Sequence, residues 1–459
     1  MTNARRTAFF TAIVAAALAL LACAPGAPAS PSAATGRTIV FAVFDTTRLD
    51  EFGAYGAREG VTPSLDALAG SGLTYESAFA PDSFTMPSHG AMFSGRLIGT
   101  EARLPADGSL VPSLRAAGFR TVGVSANWIL GPGTGFDQGF ESFTNVVDPV
   151  TRAALASGRE DAEARRERAT GHAVVETVTG ALGTLGAGDS LFLFVNFFDP
   201  HDPYTPGKEA RRRFAPHVTT SGHLRAADGS LTAFFRSAHG LGAKRKLDLR
   251  RLYRAEVFQA DAAFGELRDL MRRLGRDREA LYVATADHGE LLGERDLWTH
   301  NIGLSEQEVH VPLIVSGPGI PRGTREEPVG LAGLRDAIET WSRSGSWALS
   351  TSPPLLYHHT YPGNDVGLDP LVATDAVGLV EGDRRVTRSA AGCRLYERAK
   401  PYWREVPCLE TSGFGAQMIG RLNQEFRSRV GLERLRAWTH DAPTAEWLRR
   451  LKSLGYLAQ

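Results

Sequence analysis

The stretch Asp82–Gly95, DSFTMPSHGAMFSG, carries a hydroxyl residue, Thr85, two positions ahead of a proline and just before Ser88 and His89. Small and apolar residues then alternate, as at the start of a buried helix. A threonine fixed at a helix N-terminus faces unpaired backbone N–H groups and the positive end of the dipole. That position suits attack on an anionic ester, although the same stretch alone is also an ordinary capped helix. Asp45, Asp287 and His288 can converge on Thr85. Two carboxylates, an imidazole and a hydroxyl suit a divalent cation such as Zn, Mn, Mg or Ca. Such a cation favours ionisation of the hydroxyl and draws charge from the ester in the transition state.

Asp199 and His201, in DPHDPY, bring another acid and histidine to the same edge, and His300, in LWTHN, follows Asp287 closely enough to fold back. Asp199, His201, His300 and His89 are therefore candidates for a second metal or for substrate binding. His310 stands alone and is expected to be structural.

Four elements must position these groups. Thr38–Phe44, Arg120–Ser125, Leu191–Phe198 and Leu281–Ala286 are apolar runs without polar alternation, three of which end at an aspartate (Asp45, Asp199, Asp287). Runs of this kind suit strands covered on both faces. Helical patterns lie between or after them at Ser64–Gly70, Ser109–Ala117, Ala164–Leu185 and Leu247–Leu274. The alternation predicts an α/β fold, a mostly parallel sheet between helices, with ligands bound where the strands' carboxyl ends meet.

Arg5 and Arg6 precede an apolar run, Ala8–Ala22, that ends in Leu-Leu-Ala-Cys. The segment reads as an export signal over residues 1–22, with Cys23 as a lipidated residue; an uncleaved anchor or an ordinary secretory signal are the other readings. Residues 23–37 then form a tether rich in Ala, Pro and Ser. The expected address is the periplasmic side of a bacterial membrane or the cell surface, through a lipid anchor. Cys393 and Cys408 are the remaining cysteines; in an exported chain they suggest a disulfide, with two free thiols as the alternative. Lysine plus arginine (51) balance aspartate plus glutamate (51), so charge points to no nucleic-acid partner.

The stretch Ala210–Arg251 is basic and aperiodic up to Leu247, as expected of a solvated insertion or of a lid that attracts anions. Ala376–Val380, Arg384–Thr387 and Cys393–Tyr396 read as short strands of a small C-terminal subdomain over residues 346–459, closed by a helix at Glu446–Leu457. Residues 38–345 read as the catalytic domain.

Across Thr38–Gly319 the chain resembles the sulfatase branch of the alkaline phosphatase superfamily. The resemblance rests on FDTTRLDEFGAYG, TPSLDALAGSGLTYESAFA, TMPSHGAMFSG, LRAAGFRTVGVSAN, TGFDQGFESF, FVNFFDPHDPYTP, TADHGELLGE and VHVPLIVSGPG. It implies metal-assisted ester hydrolysis through a covalent intermediate, with Asp45, Asp287 and His288 as metal ligands and Thr85 as nucleophile. His201 and His300 fall where the family holds the ester oxygens or protonates the leaving group. Three departures bear on the chemistry. Thr85 replaces the Cys or Ser that becomes formylglycine, so no formylglycine can form. His89 stands where the motif has Arg, and Asp45-Thr46 replaces an Asp-Asp pair. All three favour a threonine-nucleophile enzyme acting on phosphate mono- or diesters, small anionic esters that could be lipid- or glycan-linked. Sulfate-ester hydrolysis is the first alternative and a non-catalytic binding protein the second.

Overall fold

Every residue of strand β1, Thr38–Phe44, is buried, because helices cover both of its faces. The computed structural model describes residues 36–57, 60–99, 103–104, 108–147, 170–219, 241–358, 376–389 and 392–430. The main sheet is built from β1, β2 (Leu73–Tyr75), β3 (Phe119–Ser125), β4 (Ser142–Asn145), β5 (Ser190–Phe197), β6 (Ala280–Ala286), β7 (Leu313–Ser316) and β8 (Gly323–Arg325), in the order β8-β2-β7-β6-β1-β5-β3-β4. The central strands β6, β1, β5, β3 and β4 are parallel, and β7 runs against both its neighbours.

Register decides where the chemistry lies. Phe44 of β1 sits opposite both Phe197 of β5 and Ala286 of β6. Three strands therefore end level, and the residues that follow them emerge at one edge.

Alternate β1 side chains feed two cores. Ile39, Phe41 and Val43 pack toward helices α2 (Thr85–Ser94) and α3 (Leu110–Ala116), and toward Leu334, Ile338 and Trp341 of Leu334–Ser344. Val40, Ala42 and Phe44 pack toward α1 (Pro63–Ser71), α4 (Gly171–Ala181) and α5 (Ala243–Arg273). The α/β class expected from the sequence is this arrangement.

A second, antiparallel sheet contains Leu355–His358, Ala376–Glu381, Arg384–Ser389, Gly392–Ala399 and Tyr402–Val406 in sequential order. One face packs on the helix Gly413–Arg429 through Met418, Ile419, Leu422 and Phe426. The other presents Leu356, Val380, Tyr396 and Trp403 to Phe79, Leu304 and Val309 of the main body. Cys393 and Cys408 form a disulfide across 15 positions of this region.

Several expectations need adjustment. Helix α5 begins at Ala243, a turn ahead of Leu247, because its first turn, rich in lysine and arginine, is solvated and shows no apolar period. The helix Gly413–Arg429 was not foreseen, since Gly413, Gly415 and Gly420 obscure its pattern. In the basic stretch, Arg211 donates to the Val218 carbonyl, Arg213 stacks on Phe258, and Lys244 pairs with Asp248. The described part is thus engaged in local contacts, while residues 220–240 lie outside the described residues. So do the leader, Cys23, the tether up to residue 35, residues 164–169 and the Glu446–Leu457 helix. No described helix is long and apolar enough to cross a membrane.

Candidate active site

Asp45 follows β1 directly and Asp287 follows β6, so the level strand ends place their carboxylates side by side. Both are fully buried. One oxygen of Asp45 accepts from Asn127 Nδ2 (2.8 Å) and Asn196 Nδ2 (3.2 Å). One oxygen of Asp287 accepts from the backbone N–H of Thr46 (3.1 Å) and of His288 (2.8 Å). In each residue the second oxygen, Oδ1 of Asp45 and Oδ2 of Asp287, is buried with no hydrogen-bond partner.

His288 donates from Nδ1 to the Gly289 carbonyl (3.0 Å). That fixes the tautomer and leaves the Nε2 lone pair 3.4 Å from Thr85 Oγ1 and 3.4 Å from Asp287 Oδ2. Asp45, Asp287 and His288 each offer one atom, all within 4.8 Å of one another. Burial, reinforced by the Asp287 charge, pushes the Asp45 carboxyl well above its ordinary pKa, and burial raises Asp287 to about 7. Two facing carboxylates with orphaned oxygens are costly in a dry site. A divalent cation would relieve both, so this donor set fits one.

Thr85 is the first residue of α2. Pro87, at the third helical position, lacks an N–H where none has an intrahelical partner, so it is tolerated there. Ser88 Oγ donates to the Asp287 carbonyl (2.6 Å) and ties the helix to the strand end. Thr46 has φ 53°, rare outside glycine. Its carbonyl accepts from Tyr253 OH (2.8 Å) while its N–H serves Asp287, and these bonds hold the strained turn.

His300 and His201 approach the centre with ring centroids 4.9 Å apart, and the His300 ring lies 4.6 Å from that of His288. His300 Nδ1 is held by Glu290 Oε1 (3.1 Å), and His201 Nδ1 by the Asp202 carbonyl (2.7 Å). Burial, aided by His288, holds His300 well below the ordinary histidine pKa. Burial likewise pushes Glu290 up to about 8.

Two sequence candidates have other positions than expected. Asp199 caps α4, accepting from Gly171 N (2.9 Å) and from Gln259 Nε2 (2.7 Å), and does not join the carboxylate pair. His89 donates from Nδ1 to the Thr85 carbonyl (3.0 Å) among Phe136 and Phe194, and burial lowers its pKa to about 3. It is a neutral brace inside α2, not the fixed positive charge that an arginine would supply. His310 is structural in its contacts, as expected, with both ring nitrogens bonded.

Sequence reasoning missed Asn127, Asn196 and Glu290. Asn196 left a usable signal, as the lone amide in LFLFVNFF: a polar group in a strand buried on both faces must have a partner. Glu290 stood inside DHGE, but its link to His300 depends on a ten-residue return of the chain.

A family model described as Sulfatase matches residues 37–341. A choline-sulfatase of Rhizobium meliloti is 32% identical over 149 residues, 30% of this chain and 28% of that protein. A low-salt glycan biosynthesis sulfotransferase of Haloferax volcanii is 36% identical over 80 residues, 17% of this chain and 20% of that protein. The alignments thus span less than a third of either relative's own length. Among solved structures, the phosphonate monoester hydrolase of Agrobacterium radiobacter superposes with a TM-score of 0.65 at 16% identity, covering 86% of this chain and 95% of that one. At that identity the likeness establishes the fold.

Proposed function

Since this chain belongs to the sulfatase family, we propose that Thr85 Oγ1 is its nucleophile, attacking a phosphate mono- or diester to give a phosphothreonine. Water or a second alcohol then releases the phosphoryl group, giving hydrolysis or transfer. The observation that carries this reading is the surroundings of the hydroxyl: the unpartnered Asp45 Oδ1 and Asp287 Oδ2, and His288 Nε2 at 3.4 Å from Thr85 Oγ1. Asp45, Asp287, His288 and Thr85 would hold a divalent cation, which would supply positive charge favouring the ionised hydroxyl.

The chain's own groups do the rest. Ser88 and Thr46 hold Asp287 in place, and Asn127 and Asn196 hold Asp45. His201 or His300 binds an ester oxygen or protonates the departing alcohol, each ring oriented by the bond at its Nδ1. Threonine, a secondary alcohol, cannot be oxidised to the aldehyde of formylglycine. The neutral His89 adds no fixed charge in place of an arginine. Both features support phosphoester chemistry at a threonine.

Sulfate-ester hydrolysis is the second reading, favoured by the choline-sulfatase similarity, and the glycan sulfotransferase similarity favours a glycan-linked ester. The basic leader ending in Cys23 supports an exported, lipid-anchored enzyme, with residues 38–345 as its catalytic domain and 346–459 as a subdomain.

Thr85→Ala and Thr85→Ser test the nucleophile. We expect the alanine variant to lose several orders of magnitude in kcat, roughly what loss of a nucleophile costs elsewhere, and the serine variant to retain substantial activity. Mass spectrometry of enzyme quenched during turnover is expected to find a phosphoryl adduct on the Thr85 peptide. Wild-type turnover by Thr85→Ala reduces Thr85 to a helix cap and ends the proposal.

A further inference from the structure

The turn that delivers Thr85 is gripped from the C-terminal sheet. Asp82 lies three residues before Thr85 and is 3% exposed, and its Oδ1 is 2.9 Å from Nδ1 of the fully buried His358. The same oxygen accepts from the Ser83 N–H (2.6 Å), closing a tight local ring just ahead of α2. His358 ends the first strand of the antiparallel sheet, and the Tyr357 N–H beside it donates to the Pro81 carbonyl (2.8 Å). Ser83 in turn accepts, at its carbonyl, the N–H of Asn301 (3.0 Å), a residue at φ 61° that directly follows His300. The short segment Pro81–Ser83 therefore joins three things: the C-terminal sheet, the threonine hydroxyl and the histidine opposite it.

Burying a carboxylate is costly. Burial raises the Asp82 pKa, while the His358 bond opposes that rise. Beside the pair, Leu356 and Val380 of the sheet pack on Phe79, Leu304 and Val309 of the body, apolar contacts without directional preference. A directional pair does what apolar contacts cannot: it fixes the angle at which the turn enters the helix.

We propose that His358 is a positioning residue for catalysis, acting through Asp82 to set Thr85 Oγ1 and, through Ser83, His300 against a common substrate. The C-terminal subdomain then belongs to the catalytic machinery through this contact. The inference rests on the threonine-nucleophile reading above.

The test compares two isosteric losses in the full-length enzyme. His358→Asn retains a donor where Nδ1 stood, and His358→Gln moves the donor to the position of Nε2. We expect His358→Gln to lower kcat roughly 10–100-fold, the size typical of orienting contacts behind a reactive group, with KM and bound metal unchanged. His358→Asn is expected to recover most of that loss. Asp82→Asn repeats the test from the other partner and is expected to lower kcat at constant KM. A purely structural role lowers the melting temperature of these variants and leaves kcat per folded molecule at the wild-type value, which overturns the inference. If Thr85→Ala keeps its turnover, the nucleophile reading has failed instead. Thr85→Ala inactive, with wild-type kcat in His358→Gln and Asp82→Asn, sinks the positioning role alone.

Discussion

His310 and His288 are both buried beside acidic residues, yet they are built in opposite ways. His310 has Glu306 at Nδ1 (2.6 Å) and the Glu76 carbonyl at Nε2 (2.8 Å), with its ring stacked on Phe79. Around it, Glu306 also forms an ion pair with Arg385 (3.0 Å) and accepts from the Trp403 N–H (3.2 Å), contacts that join the main body to the C-terminal sheet. His288 has one nitrogen committed and one facing Thr85, with orphaned carboxylate oxygens beside it. A ring with both nitrogens paired is held as part of the fold; a ring with one nitrogen turned toward a hydroxyl and orphaned carboxylate oxygens is open to a ligand. Burial and residue type are nearly the same for the two rings, and the pairing of their own nitrogens separates them.

The sharpest way to break that contrast is to remove a ligand from the unfinished side. Asp287→Asn keeps the shape and removes the charge that the Thr46 and His288 N–H groups are arranged around. Its kcat/KM is expected to fall by several orders of magnitude, comparable to loss of a group acting as part of a unit. Added divalent metal is expected to restore part of it, whereas Thr85→Ala gains nothing. Metal titration of both variants checks this; equal response in the two places Asp287 outside the metal site.

His300→Gln probes the same side with a smaller effect. For an ester with a poor alkyl leaving group we expect a loss of about 10²–10⁴-fold, as when general acid–base assistance is removed. For an activated nitrophenyl ester, which needs no proton, the loss is expected to be far smaller. Equal losses on the two esters assign leaving-group protonation to His201.

How much of this was legible beforehand follows the same division. The β1, β5 and β6 runs are continuous and apolar, so the parallel sheet and the aspartates after β1 and β6 could be read directly. The convergence of Thr85, Asp45, Asp287 and His288 could be read because strand ends and a helix start fix their positions. Asp199 was misplaced because periodicity brings a residue to an edge without saying which way its side chain turns, and a helix N-terminus lay closer. Glu290 and the Asp82–His358 pair depend on contacts across ten and 276 positions, for which a single sequence holds no local signal.

The smallest expected effect on catalysis belongs to the fully paired ring of His310. In His310→Leu the Glu76 carbonyl loses its ring donor, while Glu306 still keeps Arg385 and the Trp403 N–H. One buried acceptor is thus left without that partner, at a cost of about 1–3 kcal/mol. The stacked contact with Phe79 is largely retained by an apolar side chain of similar reach. Stability measured by denaturant unfolding is expected to fall by that amount, with kcat, KM and metal content of the folded enzyme unchanged. A drop in kcat at undiminished stability reverses the assignment: the network around His310 then serves the reaction, and complete pairing no longer marks a residue as structural.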